Sequence, residues 1–184
     1  MGYTTLEALK NWGGFDFDDE DGLLDALIES ATSVIENYTQ RKFDADEATA
    51  QSFTMVANYP VESRFSGNTL YFYEELADEA DSITDSPTVV YIPEDGPPYY
   101  GLFKTDGAWA YPTVTVTGSW GYSKTPPPDV EMACLRLCKW LYDMKDTAQG
   151  SAAVITPEGQ VLLPQGLPSD VVQLLKPYRR ITSV

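Results

Sequence analysis

Asp16, Asp18 and Glu20 stand at alternate positions of a short acidic run, the residue type and spacing with which a calcium loop opens its ligand set. Such a loop also needs a glycine at its sixth position and a bidentate Glu at its twelfth. Here Gly22 comes one place late and Leu27 occupies the twelfth position. The run is therefore expected to cap and charge the start of a helix rather than to bind metal. Histidine is absent from the 184 residues, which removes the commonest general base and the commonest metal ligand together. A Ser-His-Asp or Cys-His site cannot be built without it. Pairs of carboxylates carry no signal for glycoside chemistry, because 28 acids make some pair inevitable. No G-x-S-x-G, P-loop or paired-Cys zinc pattern occurs, and Gly118-Ser119-Trp120-Gly121 reads as a strand end with a turn. The expectation is a chain that is not an enzyme, with no catalytic residue, metal or cofactor.

The two cysteines, Cys134 and Cys138, lie four apart in an apolar helical pattern, a poor geometry for a disulfide. They are expected to be reduced core residues, which points to folding inside a cell. No apolar run approaches a membrane span, and the N-terminus lacks the pattern of a signal peptide. The formal net charge is −16, from 28 acids and 12 bases. That balance argues against a basic groove for nucleic acid and against docking on anionic membranes. It suits simple solubility, and equally a surface past which DNA must slide without sticking.

Two features point to protein contacts instead. Tyr71, Phe72, Tyr73, Tyr91, Tyr99, Tyr100, Phe103, Trp109, Tyr111 and Trp120 crowd one acidic stretch. Base stacking needs a positive groove, so core packing or a protein interface fits these residues better. The second feature is the cluster Lys176, Arg179 and Arg180 near the C-terminus. A solvated helix end and a basic peg for an acidic partner stand equal on chemistry alone.

The elements that must position these residues are legible in part. Leu24, Leu27, Ile28, Ala31, Val34, Ile35 and Tyr38 follow helical spacing, so a helix of roughly 30 Å is expected at about 20–40. A short amphipathic turn with Leu6 and Leu9 precedes it and ends at Gly13-Gly14. Residues 51–57, 69–73, 88–92, 100–104 and 113–120 have strand composition, and Thr113–Thr117 alternates cleanly. A short helix is considered at about 74–80. After Pro126–Pro128, Val130, Ala133, Cys134, Leu137, Leu141 and Met144 predict a second long helix at about 128–146, with Lys145 at its end. Residues 153–156 and 160–163 flank Pro157-Glu158-Gly159 as a hairpin. Ser169 is expected to cap a last short helix that Pro177 stops. The fold expected is α+β: a small helical bundle (helices about 20–40, 128–146 and a short C-terminal helix) with an inserted antiparallel β unit. The chain reads as one domain over 1–184. Residues 1–49 and 123–147 form the helical core, 50–122 the β-rich insertion, and 148–184 the C-terminal hairpin and docking segment.

Three stretches in this order resemble the head–tail connector (adaptor, or head-completion) family of tailed bacteriophages. They are Leu23–Ala31 running to Ile35–Arg41; Val114–Tyr122 with Pro126–Pro128 and the Val130–Tyr142 helix; and Leu174-Leu175-Lys176-Pro177-Tyr178-Arg179-Arg180. The segment of about 50–112 is longer and richer in strand than in a minimal member. The resemblance implies a structural virion protein at the head–tail interface, assembled in the host cytoplasm. It implies a homo-oligomeric ring, a dodecamer, that binds the portal protein and a tail-completion or tail-tube protein. DNA would pass through without specific binding, and no membrane is involved. The portal-docking residues it implies are Leu174, Leu175, Lys176, Pro177, Tyr178, Arg179 and Arg180. The alternative in the same setting is a tail-terminator or other minor head or tail structural protein.

Overall fold

The computed structural model describes residues 2–45, 47–54, 65–109, 113–144, 154–155, 161–162 and 166–180. In chain order these form α1 (Leu6–Gly13), α2 (Asp21–Thr39), β1 (Ala48–Thr54), β2 (Phe65–Ser66), β3 (Thr69–Leu76), β4 (Ser82–Ile83), β5 (Val89–Ile92), β6 (Tyr99–Lys104) and β7 (Thr113–Ser119). Then follow α3 (Pro128–Met144), β8 (Val154–Ile155), β9 (Val161–Leu162), α4 (Ser169–Leu175) and a 3-10 turn, Lys176–Tyr178. The architecture is α+β, with the three expected helices present. The chain divides into two compact units, one of residues 1–41 with 126–184 and one of residues 42–125.

In the helical unit, α2 packs on α3, α1 packs on both, and α4 packs on α3. The apolar stripe of α2 (Leu24, Leu27, Ile28, Ala31, Ile35) is buried, as is that of α3 (Val130, Ala133, Cys134, Leu137, Cys138, Leu141). Cys134 and Cys138 are both reduced and buried. The Cys138 thiol donates to the Leu27 carbonyl at 3.6 Å. Its pKa is raised, first by its bond with Cys134 and then by burial, so it stays protonated. α1 begins at Thr5, whose hydroxyl accepts from the Ala8 N–H at 3.1 Å. It ends at Gly14, whose φ of 70° closes the helix at no steric cost.

Two capping expectations are corrected. Glu20 precedes α2 and makes no capping bond through its side chain. The acids of this run turn elsewhere: Lys10 Nζ lies 2.5 Å from Asp18 and 2.7 Å from Asp21, and the Tyr142 hydroxyl donates to Glu20 at 2.7 Å. α4 is preceded by Pro168, not capped by Ser169, which is its first residue. Lys145 lies outside the described residues.

Residues 42–125 form two antiparallel sheets, ordered β1-β7-β4 and β2-β3-β6-β5. Val114 and Val116 of β7 point inward, and the alternate threonines are half-buried or exposed. With Phe53, Leu70, Phe72, Leu76, Tyr99, Leu102, Trp109 and Trp120 they make one core. Both buried indoles find acceptors: Trp109 donates to Asn68 O and Trp120 to Thr49 O, each at 2.8 Å. The helix considered at 74–80 is not formed. β3 runs on to Leu76, and the N–H groups of Ala77 and Asp81 go to Ser119 O and Thr117 O at 2.8 Å. Those donors cannot also serve a helix. Of the strand expected at 51–57, residues 55–57 lie outside the described residues.

The two ends of this unit are tied together. Ala45 N–H donates to Ser123 O at 3.0 Å, and Tyr122 N–H to Lys42 O at 2.7 Å. Gly121 permits this approach, because a Cβ there would sit 2.7 Å from Ala45 Cβ and 3.1 Å from Lys42 O.

Two outcomes follow. Leu27→Ala, at a position 1% exposed, should cost about 2–5 kcal/mol in urea denaturation followed by far-ultraviolet circular dichroism. Gly121→Val should lower the melting temperature read from tryptophan fluorescence, since its added carbons meet backbone as well as side chain.

Candidate functional site

The C-terminal stretch singled out in the sequence is set by α4 and its 3-10 turn. Val171 and Leu175 are buried and anchor the helix. Arg136 of α3 holds Asp170 at 2.8 Å. Pro177 cannot extend an α-helix, and the chain turns instead through Lys176–Tyr178. Beyond the turn, Arg180 N–H donates to Thr39 O at 2.9 Å, which satisfies a carbonyl at the open end of α2. The Arg179 guanidinium lies 5.7 Å from the centre of the Tyr38 ring. Seven sequence-selected residues thus sit on one short, fixed segment. Lys176, Pro177 and Arg179 are exposed, Leu174, Tyr178 and Arg180 are half-buried, and Leu175 is fully buried. Leu175 accordingly fixes the segment from beneath and offers no surface of its own.

The aromatic residues separate into two sets that composition does not distinguish. Phe72, Tyr99, Trp109 and Trp120 are buried, whereas Tyr71, Tyr73, Tyr100 and Phe103 on β3 and β6 are 41–51% exposed. The signal available in the sequence was alternation: Leu70 and Phe72 face the core, Tyr71 and Tyr73 do not. Tyr73 stacks on Phe53 at 5.7 Å, so an exposed ring is held in place from below. Val90, Ile92 and Phe103 line a shallow apolar hollow beside Glu94 and Thr105. Tyr91 faces the other way, and its hydroxyl accepts from Ala80 N–H at 2.8 Å. Tyr111 lies outside the described residues. Glu74, Asp78, Glu79, Asp81, Asp85, Glu94 and Asp95 of the same stretch of chain are exposed, and Glu94 lies beside Phe103. Exposed aromatic rings of this kind suit contact with a protein surface.

Lys10 holds the Asp18 carboxyl below the usual carboxylate range, and Lys124 does the same for Asp78. Asp44, Glu47 and Glu74 line a cleft with Lys42 and Trp120, where Glu74 accepts from Gln51 at 3.2 Å. Among the described residues no group of three His, Cys, Asp or Glu side chains could hold a metal ion. No described helix is long and apolar enough to cross a membrane.

This arrangement has known counterparts. Residues 3–77 match the family described as phage gp6-like head-tail connector proteins. The resemblance to head–tail connectors therefore holds over α1, α2 and the first three strands. Of the three motifs read in the sequence, only Leu23–Arg41 falls inside that stretch. The fold also matches three solved chains. One is from the neck of an empty GTA particle computed with C6 symmetry, with a TM-score of 0.61, 12% identity, and coverage of 99% of this chain and 92% of that one. A second is from the neck of a native GTA particle computed with C12 symmetry, at 0.57, 13%, 100% and 96%. A third is from the virion of a native gene transfer agent particle, at 0.53, 16%, 99% and 92%. At these identities the likeness shows a shared fold. No curated protein sequence matches the chain.

The Arg136–Asp170 pair has a readable pH dependence. Arg136 depresses the Asp170 carboxyl pKa below its ordinary 3.8. A depressed carboxylate stabilises the fold above its unfolded value, and that contribution is lost as pH falls through the lower folded value. Asp170→Asn should therefore leave the hold on α4 unchanged across the acid range, whereas in the parent it weakens below about pH 4. Carboxyl-carbon NMR on Asp170 and the amide shifts of α4 check this.

Proposed function

We propose that the chain is a structural subunit of the joint between a phage-type head and its tail. Copies close into a ring of twelve between the portal protein and a tail-completion or tail-tube protein, and DNA passes through the ring. The observation that carries this reading is the match of residues 3–77 to head–tail connector proteins. The neck chains of the same fold come from particles computed with C6 and C12 symmetry, which supports cyclic assembly here.

Two surfaces suit that work. The exposed cations Lys176 and Arg179, with Pro177 and the half-buried Leu174, Tyr178 and Arg180, form the portal-docking segment. It is already ordered by Leu175 and by the bond from Arg180 to Thr39, so little conformational entropy remains to be lost on binding. The exposed aromatic face of β3 and β6 offers a second protein contact. The charge of −16 repels the phosphates of passing DNA and so disfavours adhesion.

Arg179→Glu with Arg180→Glu should leave the melting curve close to that of the parent but reduce binding to portal rings and the yield of tailed particles. Native mass spectrometry with portal, and electron microscopy of particles, read both effects. Parental portal binding and infectivity would overturn the docking role. Cross-links from residues 165–184 to tail tube alone would move the chain to the tail side of the joint.

A further inference from the structure

Among the described residues of 42–125 the two sheets end in four edge strands, β1 and β4 in one and β2 and β5 in the other, and β1 is the longest of them. Natural edges are protected by brevity, charge, proline or a bulge. β2 and β4 are two residues long, and Asp81 directly precedes β4. β5 has four residues, with Pro93 immediately after it and Pro87 two positions before it. Although Glu47 directly precedes it, β1 has no such device within its span. It is seven residues long, Ala48–Thr54, with no charge and no proline. Its register against β7 is unbroken from Ala48↔Ser119 to Thr54↔Thr113. It stands at the end of the order β1-β7-β4, so its far side has no ladder partner among the described residues. Five of its seven side chains are exposed.

A second part of the chain lacks a strand. β8 and β9 pair only with each other, Val154↔Leu162 and Ile155↔Val161, among the described residues. A two-stranded sheet is marginal in water and becomes stable with a third strand. The sequence around it, residues 147–168, holds a single charged residue, Glu158. Such a hairpin can join an uncharged edge without burying charge.

We propose that the β8–β9 hairpin of one copy adds to the β1 edge of a second copy. This deepens, and rests on, the reading of the chain as a ring subunit. Main-chain hydrogen bonds supply the contact, as in strand addition generally. Donor and acceptor lie on different parts of the chain, so every copy offers one of each. Such a head-to-tail contact repeats around a ring when its rotation closes.

The test uses the whole chain with Ala50→Cys and Leu162→Cys, made singly and together, and a short bis-maleimide cross-linker. Buried Cys134 and Cys138 are controlled for by the parent chain. A mixture of the two single variants should give a cross-linked dimer that neither gives alone. The double variant should give a ladder of dimers, trimers and higher species. Adding Ser52→Lys, at an exposed position of the edge, should abolish the ladder while the melting temperature stays at that of the double variant. Dimers from Ala50→Cys alone, closure within one chain only, absence of cross-links, or a ladder unaffected by Ser52→Lys would each overturn the contact. Portal-bound rings without these cross-links would sink the contact and leave the ring reading standing. A ladder without portal-bound rings would do the reverse.

Discussion

The helical unit depends on burying the apolar stripe of α2 against that of α3. These helices come from opposite sides of residues 42–125, and the bond from Cys138 to the Leu27 carbonyl spans that separation. Loop closure over such a length costs entropy before any contact returns it. The stripes must therefore be long and continuous, and they are: α2 buries five apolar residues and α3 seven. The rest of the unit attaches to this pair. α1 docks on both helices, Tyr142 at the end of α3 bonds to Glu20 at the start of α2, and α4 rests on α3. Even the C-terminal segment borrows its last anchor from α2, at Thr39.

Residues 42–125 solve a different problem, since sheets leave polar edges and two faces to account for. The two indole N–H groups, each bonded to a carbonyl of a neighbouring strand or turn, let large rings fill the core with no donor left unmet. With Trp109 and Trp120 fixed inside, alternation along β3 sends Tyr71 and Tyr73 outward. Exposed rings and core are thus two faces of the same strand.

The sequence revealed most where periodicity is local. The spacing of Leu24, Leu27, Ile28, Ala31 and Ile35 placed α2 within a residue or two, and the Thr–Val alternation placed β7. Residues 74–80 misled because Glu, Leu and Ala favour helix, and their composition says nothing of β7, some forty residues on, which takes their N–H groups. Ser169 misled because a good capping residue stood one place inside the helix rather than before it. The candidate surfaces were legible unevenly. The cationic cluster at 176–180 is contiguous and could be read directly. Which aromatics face outward depends on strand register, and which strand lies at an edge depends on pairings between distant segments. Neither is written in any short stretch of residues.

The bonds that join Ala45 to Ser123 and Tyr122 to Lys42 have a consequence for how such chains diversify. A segment whose entry and exit lie side by side can be lengthened, shortened or exchanged without respacing the helices that precede and follow it. The strand-rich cassette is then free to change at its own pace, while the bundle that carries it keeps its register. A lineage built this way could meet new neighbours by trading one module and leave the rest of its architecture untouched.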